Sequence, residues 1–339
     1  MTYLLIFIIS TILVYVYRRF ALQYGILDAP NHRTSHVQVT PSGAGIVFIS
    51  IWLIMLCITY RHNLLSQIYF FELFIPTLMI ATVSFFDDYF NLRKRYRLLT
   101  HFAAAFIALY FIGPAGMNLG SYYISYSILL LVIYAFYIVW SINLYNFMDG
   151  LDGLAATQAI FIFIVSGILL MVFDAPILSY LSMLLAFSIL GFLVWNWPVA
   201  KIFMGDVGST SIGLLVALFS ISSQRSTSIS FLIYIMLYLP FIYDTTITLL
   251  RRVIRCEKWY EPHHQQGIHR LYSHGWSHRK VLLSLIVLDS FILILVIGSV
   301  CYPDYLYSLF LIDLMVVGYL YYGIECINPM VSQNTVSAD

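Results

Sequence analysis

The chain has 339 residues, of which 61% are hydrophobic, 17% aromatic and only 10% charged, with a formal net charge of +1. Soluble domains carry about 25% charged residues, so this composition excludes an ordinary globular protein. The near-zero net charge says little alone; the distribution of charge between loops holds the information.

Eleven apolar stretches fall at 3–17, 44–60, 68–86, 98–112, 122–140, 154–173, 177–195, 210–222, 230–249, 281–300 and 305–323. Most reach the roughly 17 to 25 residues that a helix needs to cross a bilayer. The fourth and eighth are short and interrupted by Thr, His or Ser, which leaves ten helices as the alternative count. The expected fold is all-α: a polytopic transmembrane helix bundle in one integral membrane domain, 1–327, with a short polar tail at 328–339. No basic residue precedes the first stretch and Arg18-Arg19 directly follow it, the reverse of a secretory signal peptide, so it is expected to stay attached as a helix.

Placing the N-terminus outside and the C-terminus in the cytoplasm can be tested on the 17 Lys and Arg residues. Three flank the first inside loop, four lie in 93–97, Lys201 stands alone and seven lie between Arg251 and Lys280. Only Arg61 and Arg225 fall outside, as the positive-inside rule requires. The outside loops are terse, whereas the inside loops hold seven of the nine histidines, so the working face is expected to be cytoplasmic. Cys57, Cys256, Cys301 and Cys326 have no metal-ligand spacing. Cys57 and Cys301 fall near the same outer face, which leaves a disulfide between them open.

Five inside segments carry the unusual residues. The first reads Asp28-Ala-Pro-Asn-His-Arg-Thr-Ser-His36 and then Thr40-Pro41-Ser42-Gly43-Ala44-Gly45. Pro30 and Pro41 bar regular helix, and Gly43 and Gly45 permit close backbone approach. It is either a turn entering the second helix or a place where Arg33 and His36 offer donors to a phosphate. Asp87-Asp88 then closes the third stretch ahead of Arg93-Lys94-Arg95-Tyr96-Arg97. Adjacent carboxylates at a membrane boundary repel unless a cation or hydrogen bonds compensate; the alternative is a solvated helix end neutralised by Arg.

In Asn143-Leu-Tyr-Asn146-Phe-Met-Asp149-Gly150-Leu-Asp152-Gly153, polar residues recur every three positions, which in a helical turn crowds them onto one side. The segment has no Lys or Arg, and Asp and Asn oxygens are hard ligands suited to Mg2+ or Mn2+. Capping the sixth helix would need one of them, not four. The fourth segment, Trp195-Asn-Trp-Pro-Val-Ala-Lys201-Ile-Phe-Met-Gly205-Asp206-Val-Gly208-Ser209, sets a carboxylate between glycines, either to hold it against a ligand or as a simple N-cap. The fifth, Glu261-Pro-His263-His264-Gln-Gln-Gly-Ile-His269-Arg270-Leu-Tyr-Ser-His274-Gly-Trp-Ser-His278, has five histidines within 16 residues. With no cysteine among them and no recognised zinc spacing, contacts to phosphate or sugar hydroxyls are the stronger reading, beside plain interfacial placement. Asp244 is expected to pair with Arg251 or Arg252, and Asp289 and Asp313, inside helices, to be protonated or to have a polar partner.

Taken together, the ordered motifs over about residues 20–280 resemble the polyprenyl-phosphate N-acetylhexosamine 1-phosphate transferase family, which includes the phospho-MurNAc-pentapeptide transferases and the initiators of O-antigen synthesis. They are Asp-x-Pro-Asn-x-Arg-x-x-His, Asp-Asp, Asn-x-x-Asn-Phe-x-Asp-Gly-x-Asp-Gly-Leu-Ala, Phe-Met-Gly-Asp-x-Gly-Ser, Pro-x-x-Asp with a later Arg-Arg, and a His-rich last loop. The resemblance implies a membrane enzyme of the bacterial inner membrane whose cytoplasmic cleft binds Mg2+, or Mn2+ in its place, a UDP-N-acetylhexosamine and undecaprenyl phosphate, with release of UMP. It implies Asp149 and Asp206 as metal carboxylates, with Asp149 also catalytic, Asp87 as the acid that deprotonates or orients the lipid phosphate and Asp88 as its partner. Asn143, Asn146 and Asp152 match positions that shape the nucleotide and metal pocket, and Arg33, His36, His263, His264, His269 and Arg270 are the further substrate-binding candidates. The expected partners are these substrates, the lipid bilayer and, as an option, a second copy in a homodimer; no nucleic acid is expected.

Direct attack of the lipid phosphate on the phosphorus beside the sugar is the favoured route, with an aspartyl intermediate as the alternative. Glu261-Pro-His263-His264 followed by Arg270-Leu-x-x-x-Gly275-x-Ser277-His278 looks most like the O-antigen branch that uses 6-deoxy sugars such as N-acetylfucosamine or N-acetylquinovosamine. Ser42 and Ala44 depart from that branch, where an Arg and a Gly are common. An ion-coupled secondary transporter is the rival class, but its sites usually lie near the bilayer midplane, whereas these acids gather in inside loops.

Overall fold

A computed structural model of the chain describes residues 1–28, 39–90, 92–257 and 265–330. Twelve α-helices are present among them: α1 (Thr2–Tyr24), α2 (Gly45–Arg61), α3 (Gln67–Phe90), α4 (Lys94–Ile112), α5 (Ile128–Met148), α6 (Leu154–Val172), α7 (Pro176–Asn196), α8 (Gly205–Ser226), α9 (Phe231–Ile254), α10 (Gly267–Ser273), α11 (His278–Cys301) and α12 (Leu306–Ile327). Eleven correspond to the eleven apolar stretches, and the twelfth, α10, is a seven-residue helix within the longest loop. Nine are long and apolar enough to cross a membrane; α2, of 17 residues, and α4, whose first turn holds Lys94, Arg95 and Arg97, fall outside that set. The chain is a multi-pass membrane protein with an all-α bundle. Strand is confined, among the described residues, to two short antiparallel pairs: β1 (Leu27–Asp28) with β2 (Thr40–Pro41), and β3 (Met117–Asn118) with β4 (Tyr123–Ile124).

Two boundaries differ from the sequence reading. α5 starts at Ile128, after β4 and an N-cap in which Ser127 Oγ accepts the Leu130 N–H at 3.1 Å, so the stretch drawn from 122 begins too early. α10 forms because Asp244 of α9 accepts the N–H groups of Gly267 at 2.7 Å and Ile268 at 3.2 Å, the unpaired donors of a helix start. Asp244 therefore takes a helix N-terminus where an arginine was expected: Arg251 pairs with Glu325 at 2.6 Å and Arg252 with Glu257 at 3.1 Å. Asp289 and Asp313 are buried, and Asp289 faces Gln158 of α6. All four cysteines are free, so the Cys57–Cys301 disulfide is not formed.

The centre of the bundle is α8, whose apolar window is 89% buried against 22% for α1 and 17% for α12. Its sequence explains this. Gly and Ser recur along it, and small residues let neighbouring backbones approach where lipid offers no competing hydrophobic drive. A Cβ on Gly213 would stand 2.5 Å from Ser141 O of α5, and Ser141 Oγ donates to Gly213 O at 2.7 Å. On another side, Ser84 Oγ of α3 lies 2.9 Å from Thr210 Oγ1. These contacts bring the C-terminal ends of α3 and α5 to the N-terminus of α8.

Candidate active site

The first turn of α8 is held by the segment ahead of α2. Phe203 N–H donates to Pro41 O at 2.8 Å, Ala44 N–H to Phe203 O at 3.0 Å and Gly45 N–H to Met204 O at 2.8 Å. So close an approach needs glycine on both sides, since a Cβ on Gly45 would collide with the Gly208 backbone. Asp206 is thereby fixed at the mouth of the bundle, between two incoming helix ends.

From α3, the half-exposed run ending at Asp88 reaches over this turn, and Asp88 Oδ1 accepts the Asp206 N–H at 3.3 Å. Asp87, only 7% exposed, accepts the Leu92 N–H at 2.8 Å and pairs with Arg97 Nη1 at 2.7 Å. The other arm of Arg97, Nη2, lies 3.0 Å from Asp206 Oδ2. One guanidinium thus joins the acids of α3 and α8, a forked geometry that Lys cannot reproduce. From α5, Asn146 Nδ2 donates to Asp206 Oδ1 at 2.8 Å and Ser209 Oγ at 3.0 Å.

Asp149 ends α5 as its C-cap. Burial, and then the negative charges of Asp206, Asp152 and Asp88, push its carboxyl well above the usual carboxylate range. The expected single face of Asn143, Asn146, Asp149 and Asp152 does not form, because the helix stops at Met148 and Gly153, at φ 73°, starts α6. Asn143 Nδ2 instead meets His101 Nδ1 at 3.1 Å and donates to Val139 O at 2.7 Å. Asp152 Oδ2 accepts the Ala200 N–H at 3.0 Å and lies 3.1 Å from His278 Nδ1.

In the fifth segment, His269 of α10 lies on Gly150, where a Cβ would collide with the imidazole. Arg270 is 4% exposed and directs Nη1 to Glu325 Oε2 at 2.7 Å and to Asn328 O at 2.9 Å, on the end of α12. Arg33, His36, His263 and His264 lie outside the described residues. The sequence reading did not single out Arg97 from its basic run. Its signal was the four-residue spacing to His101, which puts both on one face of α4.

The profile described as glycosyl transferase family 4 matches residues 70–224, a span containing Asp87, Asp88, Asp149 and Asp206. The chain is 30% identical over 283 residues to the undecaprenyl-phosphate alpha-N-acetylglucosaminyl 1-phosphate transferase of Thermotoga maritima, covering 82% of this chain and 84% of that relative. The chain belongs to glycosyl transferase family 4. This family 4 member is also 25% identical over 277 residues to a probable undecaprenyl-phosphate N-acetylglucosaminyl 1-phosphate transferase of Bacillus subtilis, covering 79% and 75% of the two chains. To the phospho-N-acetylmuramoyl-pentapeptide-transferase of Staphylococcus haemolyticus it is 28% identical over 269 residues, covering 73% and 81%. The resemblance drawn from the ordered motifs is borne out at the level of the family.

Proposed function

We propose that this family 4 transferase moves an N-acetylhexosamine 1-phosphate from a UDP-sugar to undecaprenyl phosphate and releases UMP. The observation that supports it most is the charge imbalance at the start of α8, where Asp87, Asp88, Asp149 and Asp206 gather and one arginine, Arg97, bridges two of them. The names of the relatives, which state polyprenyl-phosphate and phosphosugar transfer, support the same reading.

The donor set fits a hard divalent cation. Among the described residues, no three His, Cys, Asp or Glu side chains close on one point. Mg2+ suits such a site, since it takes one or two carboxylates and fills its remaining positions with water and substrate phosphates. Asp149 and Asp206 would hold it, with Mn2+ able to take its place. When bound, the ion supplies positive charge against the charge that develops on the diphosphate. The protein's own residues do the rest. Asn146 orients Asp206, Asp88 braces the first turn of α8, and Asp87 with Arg97 orients the lipid phosphate. An oxygen of that phosphate attacks the phosphorus beside the sugar; the new P–O bond forms as the bond to the bridging oxygen breaks, and UMP leaves with the electron pair.

Arg18, whose Nε donates to Lys201 O at 3.0 Å, and Arg97 lie at the same end as these acids, which supports a site facing the cytoplasm of a bacterial inner membrane. For the sugar we favour a 6-deoxy-N-acetylhexosamine and a role in starting O-antigen or a related envelope polysaccharide, on the motif from Glu261 to His278. The test is UMP release by purified protein given undecaprenyl phosphate, Mg2+ and a panel of UDP-N-acetylhexosamines, with and without EDTA. Lipid-dependent, EDTA-sensitive release is expected. Silence across the panel by inserted protein would overturn the reading, and solute uptake without UMP release would replace it with an ion-coupled transporter.

A further inference from the structure

Helix α10 has seven residues, fewer than the roughly 12 that an isolated helix needs to persist in water. Its order therefore comes from what holds its two ends. At the start, Asp244 of α9 accepts the N–H groups of Gly267 and Ile268. At the finish, Asn328, the residue that closes α12, donates Nδ2 to Arg270 O at 2.8 Å and to Ser273 Oγ at 3.0 Å, and Arg270 Nη1 donates back to Asn328 O at 2.9 Å. A side chain from α12 thus satisfies a last-turn carbonyl of α10.

Glu325, three residues before Asn328, joins the same elements. Its Oε2 meets Arg270 Nη1 of α10 at 2.7 Å and Arg251 Nη1 of α9 at 2.6 Å, while Oε1 accepts the Met330 N–H at 3.1 Å. The two guanidiniums lie over the Tyr321 ring, at 5.3 and 5.5 Å, and the Tyr321 hydroxyl lies 3.3 Å from Thr248 Oγ1 of α9. Along its length α12 is barely embedded, with Met315, Tyr319 and Tyr322 exposed, yet its end is bonded closely to α10. What α10 carries to the site is His269, a buried side chain that lies on Gly150, the residue after Asp149.

We propose that the C-terminal end of α12 is a clamp that sets affinity for the sugar nucleotide, with Glu325 and Asn328 as positioning residues that act through α10 and hold His269 against the turn bearing Asp149. This rests on the reading above in which Asp149 meets the donor diphosphate through a cation. When α10 undocks, His269 leaves Gly150 and that side of the donor site opens. The donor then binds the docked fraction alone, and its apparent affinity falls in proportion. Asp87 and Arg97, which orient the lipid phosphate, stand on α3 and α4, so affinity for the lipid is set separately.

The experiment measures the Kd of UDP in the presence of Mg2+ by calorimetry on the purified full chain, hydrogen exchange of the α10 amides by mass spectrometry, and KM for each substrate in UMP release. Glu325→Gln keeps the shape and removes the charge that holds two arginines. Asn328→Ala removes the capping amide at the very end of the helix and serves if the Gln variant does not fold. Tyr319→Leu, on the exposed side of α12, is the control. A lost hydrogen bond is worth about 2- to 10-fold, so the Ala variant should bind UDP about 3- to 10-fold more weakly and the Gln variant at least as weakly. The α10 amides should exchange faster by a similar factor, with kcat, the KM for undecaprenyl phosphate and the control largely unchanged. Unchanged exchange, UDP affinity that stays fixed while exchange rises, an equal loss in the control, or an equal rise in both KM values would each overturn the clamp. A wild type that binds no UDP would overturn the donor reading and the clamp with it. UDP binding that weakens as expected in a protein that releases no UMP would overturn the reaction and leave the clamp standing.

Discussion

Helices α3 and α8 meet around an arginine at both of their ends, yet the two meetings are built differently. At the far end, Glu72 is fully buried; one oxygen accepts Ser222 Oγ and the other pairs with Arg225 Nη2 at 3.0 Å. Arg225 also donates to Ile112 O at 2.7 Å and lies 4.4 Å over the Tyr69 ring. One charge meets one charge in a closed, hydrogen-bonded pair, which is what a polar helix contact in a membrane requires. At the site end, Arg97 is shared by Asp87 and Asp206, Asp88 and Asp149 add further carboxylates, and the Arg97 and Asp206 side chains are 29% and 28% exposed. Balance marks a joint, and an open excess of one sign marks a place for a ligand.

The comparison breaks or sharpens under substitution, because the two ends should respond in opposite ways. Asp149→Asn or Asp206→Asn should lower UMP release by about 100- to 1,000-fold or more, while thermal unfolding shows stability little changed, since Asn keeps the shape and Arg97 keeps Asp87 as a counter-charge. Normal turnover in either would remove the metal assignment. Glu72→Gln should do the reverse: a loss of about 1 to 3 kcal/mol in stability, as Arg225 is left without its counter-charge, with turnover per folded molecule kept. A catalytic defect there would mean the far end is more than a joint.

Smaller effects test finer parts of the site. Arg97→Lys keeps the charge but cannot bridge two acids at once, so turnover should fall by about 10-fold, with insertion normal; a silent variant would deny the bridge a role. Asp244→Asn weakens the anchoring of α10, which carries His269. It should cost roughly 1 kcal/mol and raise the KM for the sugar nucleotide a few-fold at nearly constant kcat. Equal losses in both parameters would place α10 in the chemical step.

What the sequence by itself determined is the part set by local composition. Apolar runs of bilayer length place the helices, basic residues sort the loops, and residues such as Asp87-Asp88 and Gly205-Asp206-Val-Gly208 stand in an order that marks the family. The tertiary structure alone decided which polar groups meet. Arg97 reaches Asp206 across more than a hundred residues of chain, Asp152 finds Ala200 and His278, and Arg270, a substrate candidate in the sequence, pairs with Glu325. A three-residue period placed Asn143 to Asp152 on one face, but the turn at Asp149 to Gly153 sent them to different partners. Such pairings follow from how helices pack against α8 and from where each chain end turns. Hydrogen bonds and ion pairs form over a few ångströms of space whatever the separation in sequence, so no local pattern could have named them.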